Sequence, residues 1–187
     1  RLDGKEAQPL VLIADEVYQD NIWSSKTWES FRKVCHQVGS NVELFSLHSI
    51  SKGYYGECGL RGGLLQCENI EKPVMDEIVK LFSLSLCSNT VGQCMMASIC
   101  NPPVKGDPSY PTFIKEKNNI LGDMKKRATL VQKFLHEELE GVSCAPMEGA
   151  MYAFPRLEVT DSWKKAAKDA NMEADEFYCR ALLEQPG

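Results

Sequence analysis

The sequence lacks the patterns that mark several common binding and hydrolytic sites. Its eight cysteines include no C-x-x-C pair, and its three histidines do not stand at zinc-finger spacing from them. No P-loop and no G-x-S-x-G nucleophile elbow is present. The glycines of region 56–62 are spaced more widely than in a G-x-G-x-x-G dinucleotide loop. These absences argue against a structural zinc protein, a P-loop nucleotidase and a serine hydrolase.

The chain also lacks a basic excess and a long apolar run. Its net charge is −5, which is unlike a nucleic-acid or anionic-membrane binder, and no apolar run approaches the ~20 residues of a membrane-spanning helix. The cysteines are irregularly spaced, and the sequence has no N-x-[ST] sequon and no apolar segment near Arg1. These features favour free thiols in a reducing compartment. We therefore expect a cytoplasmic or mitochondrial protein that is not secreted and binds neither nucleic acid nor membrane.

What is present predicts an α/β protein. The 187 residues are 43% hydrophobic, enough for a buried core in one or two domains. A continuous apolar run at 10–14 is typical of a strand buried on both faces. A helical pattern at 26–38 and a strand at 42–47 follow, which together predict a βαβ unit with parallel strands.

The rest of the sequence alternates between helical and extended patterns. A long amphipathic helix at 113–140 is long enough, at ~42 Å, to connect two domains, so we expect domains at 1–112 and 113–187. Neither end looks natural, because the chain begins without Met and stops directly after an apolar helical pattern, so we expect a piece of a longer protein. The other predicted elements are strands at 64–67, 142–144 and 150–154, helices at 73–86, from 88 or 89 to the prolines at 102–103, and at 173–184, and a loop at 107–111.

A cluster of reactive and anion-binding residues follows the second predicted strand. Lys52 stands after two serines, Ser49 and Ser51, and is followed by a glycine-rich turn and Arg61. A lysine amine becomes a nucleophile for Schiff-base chemistry when desolvation or a nearby cation lowers its pKa. The arginine fork and the hydroxyls suit a phosphate. The alternative is a solvated loop lysine with a structural arginine.

Two residues after the first predicted strand complete this interpretation. Parallel strands end at the same edge of a sheet, where ligands gather, so Asp15 is expected near the Ser49–Lys52 segment. A carboxylate there could pair with a protonated pyridine nitrogen, and Tyr18 could donate to a ring oxygen. The alternative is an aspartate at a helix start with a half-buried tyrosine.

The same segments resemble the fold-type I aminotransferases, and in particular the alanine aminotransferases. The resemblance rests on DEVYQD at 15–20, on SISKGYYGECGLRGG at 49–63, on NPP at 101–103 and on EGAMYAFPR at 148–156. It extends over essentially the whole chain from about Leu10 in one register. It implies part of a mostly parallel large-domain sheet with flanking helices, a long interdomain helix and part of an α+β small domain.

The resemblance also implies a cofactor and roles for the candidate residues. The cofactor would be pyridoxal 5′-phosphate, and Lys52 would form the Schiff base and shuttle the substrate proton. Asp15 would hold the ring nitrogen, Tyr18 the ring oxygen, and Ser49 and Arg61 the phosphate, with Ser51 assisting. The implied reaction converts L-alanine and 2-oxoglutarate to pyruvate and L-glutamate in a homodimer, with no metal.

The family also uses groups that the resemblance places outside these 187 residues. They are a glycine-containing phosphate loop, an aromatic that stacks on the ring and an asparagine before Arg1, and a substrate-binding arginine after Gly187, a role for which Arg156 is misplaced. We therefore expect the chain alone to be nearly inactive. Three alternatives stay open: a fold-type I aminotransferase for another amino acid, a non-catalytic domain that binds the cofactor, and an inactive structural fragment.

Overall fold

The computed structural model describes residues 10–185 and divides them into two compact units. The first unit contains the described residues up to Ala128 together with Met147–Tyr152, and the second contains Thr129–Pro146 and the described residues from Ala153. The predicted long helix exists and contributes residues to both units. The domain boundary expected after residue 112 stays a prediction.

The first unit begins with the predicted βαβ arrangement. Strand β1 (Val11–Asp15) and strand β2 (Glu43–Ser49) are parallel, and helix α1 (Phe31–Gln37) connects them. Ser30 caps α1, since its side chain accepts a hydrogen bond from the Lys33 amide. The helix therefore starts later than the pattern at 26–38 predicts.

One face of this βαβ unit forms a small core. Ala14, Cys35 and Leu44 are buried together, from β1, α1 and β2 respectively. The prediction that β1 is buried on both faces is wrong for the described chain, because Val11 and Ile13 are 44% and 71% exposed. Alternate residues of a strand point to opposite faces, and α1 covers only the face that carries Ala14.

Strand β3 (Gly63–Glu68) pairs antiparallel with β2, giving a sheet of order β1-β2-β3. The connection between β2 and β3 contains only a 3-10 turn, Cys58–Leu60, instead of a crossover helix. A chain that returns without a crossover pairs antiparallel with the strand it has just left. Ser49 consequently lies opposite Gly63, which closes the base of the loop that carries Lys52.

Two helices follow in the first unit and a third begins there and extends into the second, each near its predicted position. Pro73 lies in the first turn of α2 (Lys72–Ser83), and the Asn89 side chain caps α3 (Thr90–Cys100). Helix α4 (Tyr110–Glu137) has 28 residues and starts within the loop predicted at 107–111.

The second unit contains a short antiparallel pair and two helices. They are β4 (Val142–Cys144), β5 (Pro155–Leu157), α5 (Asp161–Asp169) and α6 (Ala174–Glu184). The strand predicted at 150–154 is wrong, because Ala150 has the left-handed φ of 59°, which ends extended structure, and the strand starts only at Pro155. Helix α5, which the sequence patterns missed, is capped by Thr160.

Within residues 10–185, no helix combines the length and apolarity needed to cross a membrane. The same residues contain no group of three or more His, Cys, Asp or Glu side chains that could hold a metal ion.

Two glycines allow the loop before β3 to pack directly on α3. A Cβ on Gly62 would lie 2.5 Å from the Gly92 carbonyl oxygen, and a Cβ on Gly92 would lie 2.6 Å from the Leu60 carbonyl oxygen. The two backbones therefore touch where no other residue type fits without movement. This contact fixes the position of Arg61, which lies between Leu60 and Gly62.

We expect Gly62→Ala to lower the free energy of unfolding by about 1–3 kcal/mol, because the new Cβ would force the loop away from α3. Thermal unfolding of a full-length protein carrying this sequence measures the effect. Gly59→Ala is the matched control from the same loop, since its Cβ would meet no described atom within 4 Å. Equal melting temperatures for the two variants would contradict the close packing.

Candidate cofactor site

The carboxyl ends of β1 and β2 lie side by side. Asp15, the last residue of β1, is in register with Leu47, and the amide of Glu16 donates to the Leu47 carbonyl oxygen at 3.0 Å. Ser49 is the last residue of β2. The parallel pairing thus places Asp15 and the Ser49–Lys52 segment at one edge of the sheet, as their positions in the sequence predict.

The loop that carries Lys52 is closed by hydrogen bonds at its base. The Ile50 amide and the Ser49 hydroxyl both donate to the Gly62 carbonyl oxygen, each at 3.2 Å. Ile50 is fully buried, and its carbonyl oxygen accepts from the Glu57 amide at 3.0 Å. These contacts hold the segment after Ser49 in a defined position relative to the sheet.

Lys52 lies just beyond this closure and is half-buried. Within residues 10–185 its amine forms no hydrogen bond or ion pair, whereas Lys117, for example, pairs with Asp20 at 2.8 Å. Gly53 follows with a φ of 67°, and a Cβ there would lie 3.5 Å from the Val17 carbonyl oxygen. The turn therefore runs close to the segment after β1, and it leaves the lysine amine available for chemistry.

Tyr54 anchors the other side of the Lys52 turn. Tyr54 is 7% exposed, and the Lys117 amine lies over its ring, 4.7 Å from the ring centroid. Burial and then the hydrogen bond to Tyr55 raise the pKa of Tyr54 well above its usual value, so the phenol is neutral. Because Lys117 belongs to α4 and pairs with Asp20, the turn is attached both to that helix and to the segment after β1.

Ser49, Ser51 and Arg61 form one hydrogen-bonded group. The Ser51 amide donates to the Ser49 hydroxyl at 3.0 Å, and an Arg61 guanidinium nitrogen donates to the Ser51 hydroxyl at 3.5 Å. The same nitrogen donates to the Cys58 carbonyl oxygen at 3.2 Å. The Ser49 proton already bonds to Gly62, whereas the Ser51 proton has no acceptor among the described residues. Ser51 and Arg61 together therefore offer donors to an anion.

The backbone of Arg61 is held in an unusual conformation. Its φ is 52°, in the left-handed region that non-glycine residues rarely adopt. The Asn89 side-chain amide donates to the Leu60 carbonyl oxygen at 2.7 Å, next to the contact of Gly62 with Gly92. Sequence reasoning placed residue 89 only at the start of a helix and did not select Gly92, because the roles of Asn89 and Gly92 at this loop depend on contacts between segments distant in sequence.

Tyr18 lies beside Asp15 on the other side of the site and contacts Tyr152, a residue that sequence reasoning did not select. The two phenol oxygens are 2.8 Å apart. Burial and then the hydrogen bond and charge of Tyr152 raise the pKa of Tyr18 to about 12. Asp15 and Cys58 contribute smaller effects in the same direction, so both lie near the Tyr18 phenol. Tyr18 is therefore protonated at neutral pH and is a hydrogen-bond donor.

The structure brings the six candidate residues into two neighbouring groups. Asp15 and Tyr18 interact electrostatically, and Ser49, Ser51 and Arg61 are hydrogen-bonded, with Lys52 in the same loop. Cys58 lies near both groups, since its thiol donates to the Ser51 carbonyl oxygen at 3.1 Å and it is an electrostatic neighbour of the Tyr18 phenol. The two groups thus present an exposed carboxylate, a protonated phenol, an unpaired amine and the hydrogen-bond donors of Ser51 and Arg61.

Known proteins similar to this chain agree with that chemistry. Alanine aminotransferase 2 of Xenopus tropicalis is 42% identical over 183 residues, which cover 95% of this chain and 35% of the relative. Alanine aminotransferase 2 of Panicum miliaceum is 44% identical over 182 residues, which cover 95% of this chain and 38% of the relative. The chain thus spans little more than a third of the length of these curated relatives.

Solved structures show the same fold. An alanine aminotransferase from Pyrococcus furiosus matches 81% of this chain and 35% of its own with a TM-score of 0.64 at 23% identity. An aspartate aminotransferase from Rhizobium meliloti matches 89% of this chain and 42% of its own with a TM-score of 0.61 at 18% identity. The family model described as aminotransferase class I and II matches residues 2–186. The chain belongs to the class I and II aminotransferase family.

Proposed function

We propose that this chain is the part of a pyridoxal 5′-phosphate-dependent alanine aminotransferase that carries the reactive lysine. The whole protein would convert L-alanine and 2-oxoglutarate to pyruvate and L-glutamate. The observation that carries the proposal is that the unpaired amine of Lys52 belongs to a loop at the same sheet edge as Asp15, and that this loop also carries the hydrogen-bond donors of Ser51 and Arg61. The choice of alanine is supported by relatives named alanine aminotransferases at 40–44% identity.

The residues fit the cofactor. When bound, pyridoxal phosphate supplies an aldehyde carbon to which amines attach and a protonated ring that withdraws electrons. Arg61 and the free hydroxyl proton of Ser51 would hold the phosphate, with Ser49 fixing their loop. Because Gly62 has no side chain, the loop packs directly on α3; a side chain at this position would push the loop and Arg61 away.

Each remaining residue has one task at a stated atom. The carboxylate of Asp15 would keep a proton on the ring nitrogen, because an adjacent negative charge favours the protonated form. Tyr18 is protonated at neutral pH and would donate to the ring oxygen. The amine of Lys52 would move the proton between the substrate Cα and the cofactor carbon C4′, as general base and acid.

The domain division and the setting of the whole protein are part of the same proposal. Residues 1–112 would belong to the large domain and 113–187 to the interdomain helix and the small domain. The whole protein would act as a homodimer on an amino acid and a 2-oxo acid. Relatives from Dictyostelium discoideum and Arabidopsis thaliana are named mitochondrial, so a mitochondrial or a cytoplasmic location is proposed.

Lys52→Ala in a full-length protein is expected to abolish covalent attachment of the cofactor and to reduce transamination by at least ~1000-fold, because the reactive amine is gone. Borohydride reduction followed by peptide mass mapping locates the attachment, and coupled detection of pyruvate measures the rate. Lys105→Ala removes an exposed lysine that, like Lys52, has no side-chain partner among the described residues, and it should leave both readouts unchanged. Retained labelling in the Lys52 variant would refute this role.

Asp15→Asn is expected to retain much of the bound cofactor and to lose ~100-fold or more in kcat, since a neutral amide no longer holds the proton on the ring nitrogen. Steady-state kinetics with L-alanine and fluorescence titration of cofactor binding separate the two effects. Asp76→Asn removes a surface carboxylate on α2 and serves as the control. A kcat within twofold of the parent would exclude Asp15 as the ring-nitrogen partner.

The 187-residue chain by itself is expected to show little or no transaminase activity, because it spans about a third of the relatives and the resemblance places other cofactor and substrate groups outside it. Glutamate formation from L-alanine and 2-oxoglutarate by the purified chain is the measurement. Turnover near that of a full-length protein with the same sequence would contradict the expectation.

A further inference from the structure

A second tyrosine completes the surroundings of Tyr18. The Tyr18 and Tyr152 oxygens are 2.8 Å apart, although 134 residues separate them in sequence. Their rings meet edge to face, with centroids 5.6 Å apart and planes at 90°. Among the described residues, neither hydroxyl has a second hydrogen-bond partner. The pair is therefore joined both by packing and by a hydrogen bond.

Backbone contacts hold Tyr152 in this position. The Ala150 amide donates to the Asn21 carbonyl oxygen at 2.9 Å, and the Trp23 amide donates to the Glu148 carbonyl oxygen at 2.9 Å. The Trp23 indole donates to the Ala150 carbonyl oxygen at 2.7 Å. These bonds fasten the segment before Tyr152 to the segment that follows Tyr18.

The fit of these two segments is close. Gly149 lies so near Asn21 that a Cβ on it would be 2.7 Å from the Asn21 carbonyl oxygen. Ala150 takes a left-handed φ of 59°, a conformation costly for alanine. Asn21 itself is fully buried, and its amide donates to the Tyr18 carbonyl oxygen at 2.9 Å. Backbone contacts between residues 148–150 and 21–23 thus position Tyr152 next to Tyr18.

Each of the two tyrosines has only one hydroxyl proton, and this determines which of them donates in their shared hydrogen bond once a ligand is present. In the isolated pair either hydroxyl can donate. A phenol has one proton, so if Tyr18 donates to a ligand oxygen it has no proton left for Tyr152. Tyr152 is then the donor and Tyr18 the acceptor.

We propose that Tyr152 is a positioning residue for the transamination proposed above. Its hydroxyl donates to the Tyr18 oxygen, which leaves the single Tyr18 proton directed at the ring oxygen of the bound cofactor. Chains of donors polarise one another, so the Tyr152 bond also strengthens the bond that Tyr18 makes. This inference rests on the proposed function, because it requires the cofactor oxygen as the acceptor.

The test is a pH titration of the visible absorbance of the bound cofactor in full-length holoenzyme. A donor at the ring oxygen stabilises the oxygen anion, and so it favours the form of the lysine-bound cofactor that has lost its proton. Tyr152→Phe, which keeps the ring and removes the hydroxyl, should raise the titration midpoint by about 0.5 pH unit, the equivalent of part of one hydrogen bond. Tyr18→Phe should raise it further.

The double variant separates positioning from an independent effect. Because Tyr152 acts through Tyr18, Tyr18→Phe/Tyr152→Phe should have the same midpoint as Tyr18→Phe alone. Tyr178→Phe, which alters a tyrosine that packs against Trp163 in the second unit, should leave the midpoint unchanged. An unchanged midpoint in Tyr152→Phe, or additive shifts in the double variant, would overturn the role of Tyr152 while the proposed function stands. Absence of a lysine-bound cofactor spectrum in the parent would overturn both.

Discussion

The carbonyl oxygen of Gly62 holds the Lys52 loop together. It accepts hydrogen bonds from the Ile50 amide and from the Ser49 hydroxyl, the two residues at which the chain leaves β2. Those two bonds set the base of the loop, and the missing Cβ of Gly62 lets the loop rest on α3. The position of the lysine relative to the sheet and the position of the arginine relative to the lysine both depend on this one residue.

The two halves of the site are built in different ways. The Ser51–Arg61 half is local, because its residues belong to one loop and bond to one another. The Asp15–Tyr18 half is assembled from distant segments, with Tyr152 reaching it through the left-handed turn at Ala150. A local loop can keep its anion donors in place while the tyrosine pair depends on the correct docking of residues 147–152.

This difference explains how far the sequence alone could lead. One apolar run ends in Asp15 and a second ends at the Ser49–Lys52 segment. This pattern predicts two parallel strands with adjacent carboxyl ends, and the pairing of β1 with β2 confirms it. The roles of the individual residues came from the resemblance of their motifs to a family. The antiparallel return of β3 and the exposed face of β1 were beyond local patterns, because they depend on which elements cover the sheet.

The errors have the same origin. The short apolar run at 150–154 is typical of a strand, but the left-handed φ of Ala150, whose amide bonds to Asn21, prevents one there. Tyr152 lies in one of the motifs that carry the resemblance, but the motif assigned it no role, since its contact with Tyr18 joins residues 134 positions apart. Helix α5 carried two local signals that sequence reasoning overlooked: the capping residue Thr160, and apolar residues at helical spacing, Trp163, Ala166 and Ala167.

The exposed strand β1 has a consequence for laboratory work with this chain. It lies at the edge of the described sheet, with Leu10, Val11 and Ile13 between 44% and 71% exposed. An apolar edge strand is a template for pairing with another molecule. We therefore expect a separately purified chain to self-associate through this strand.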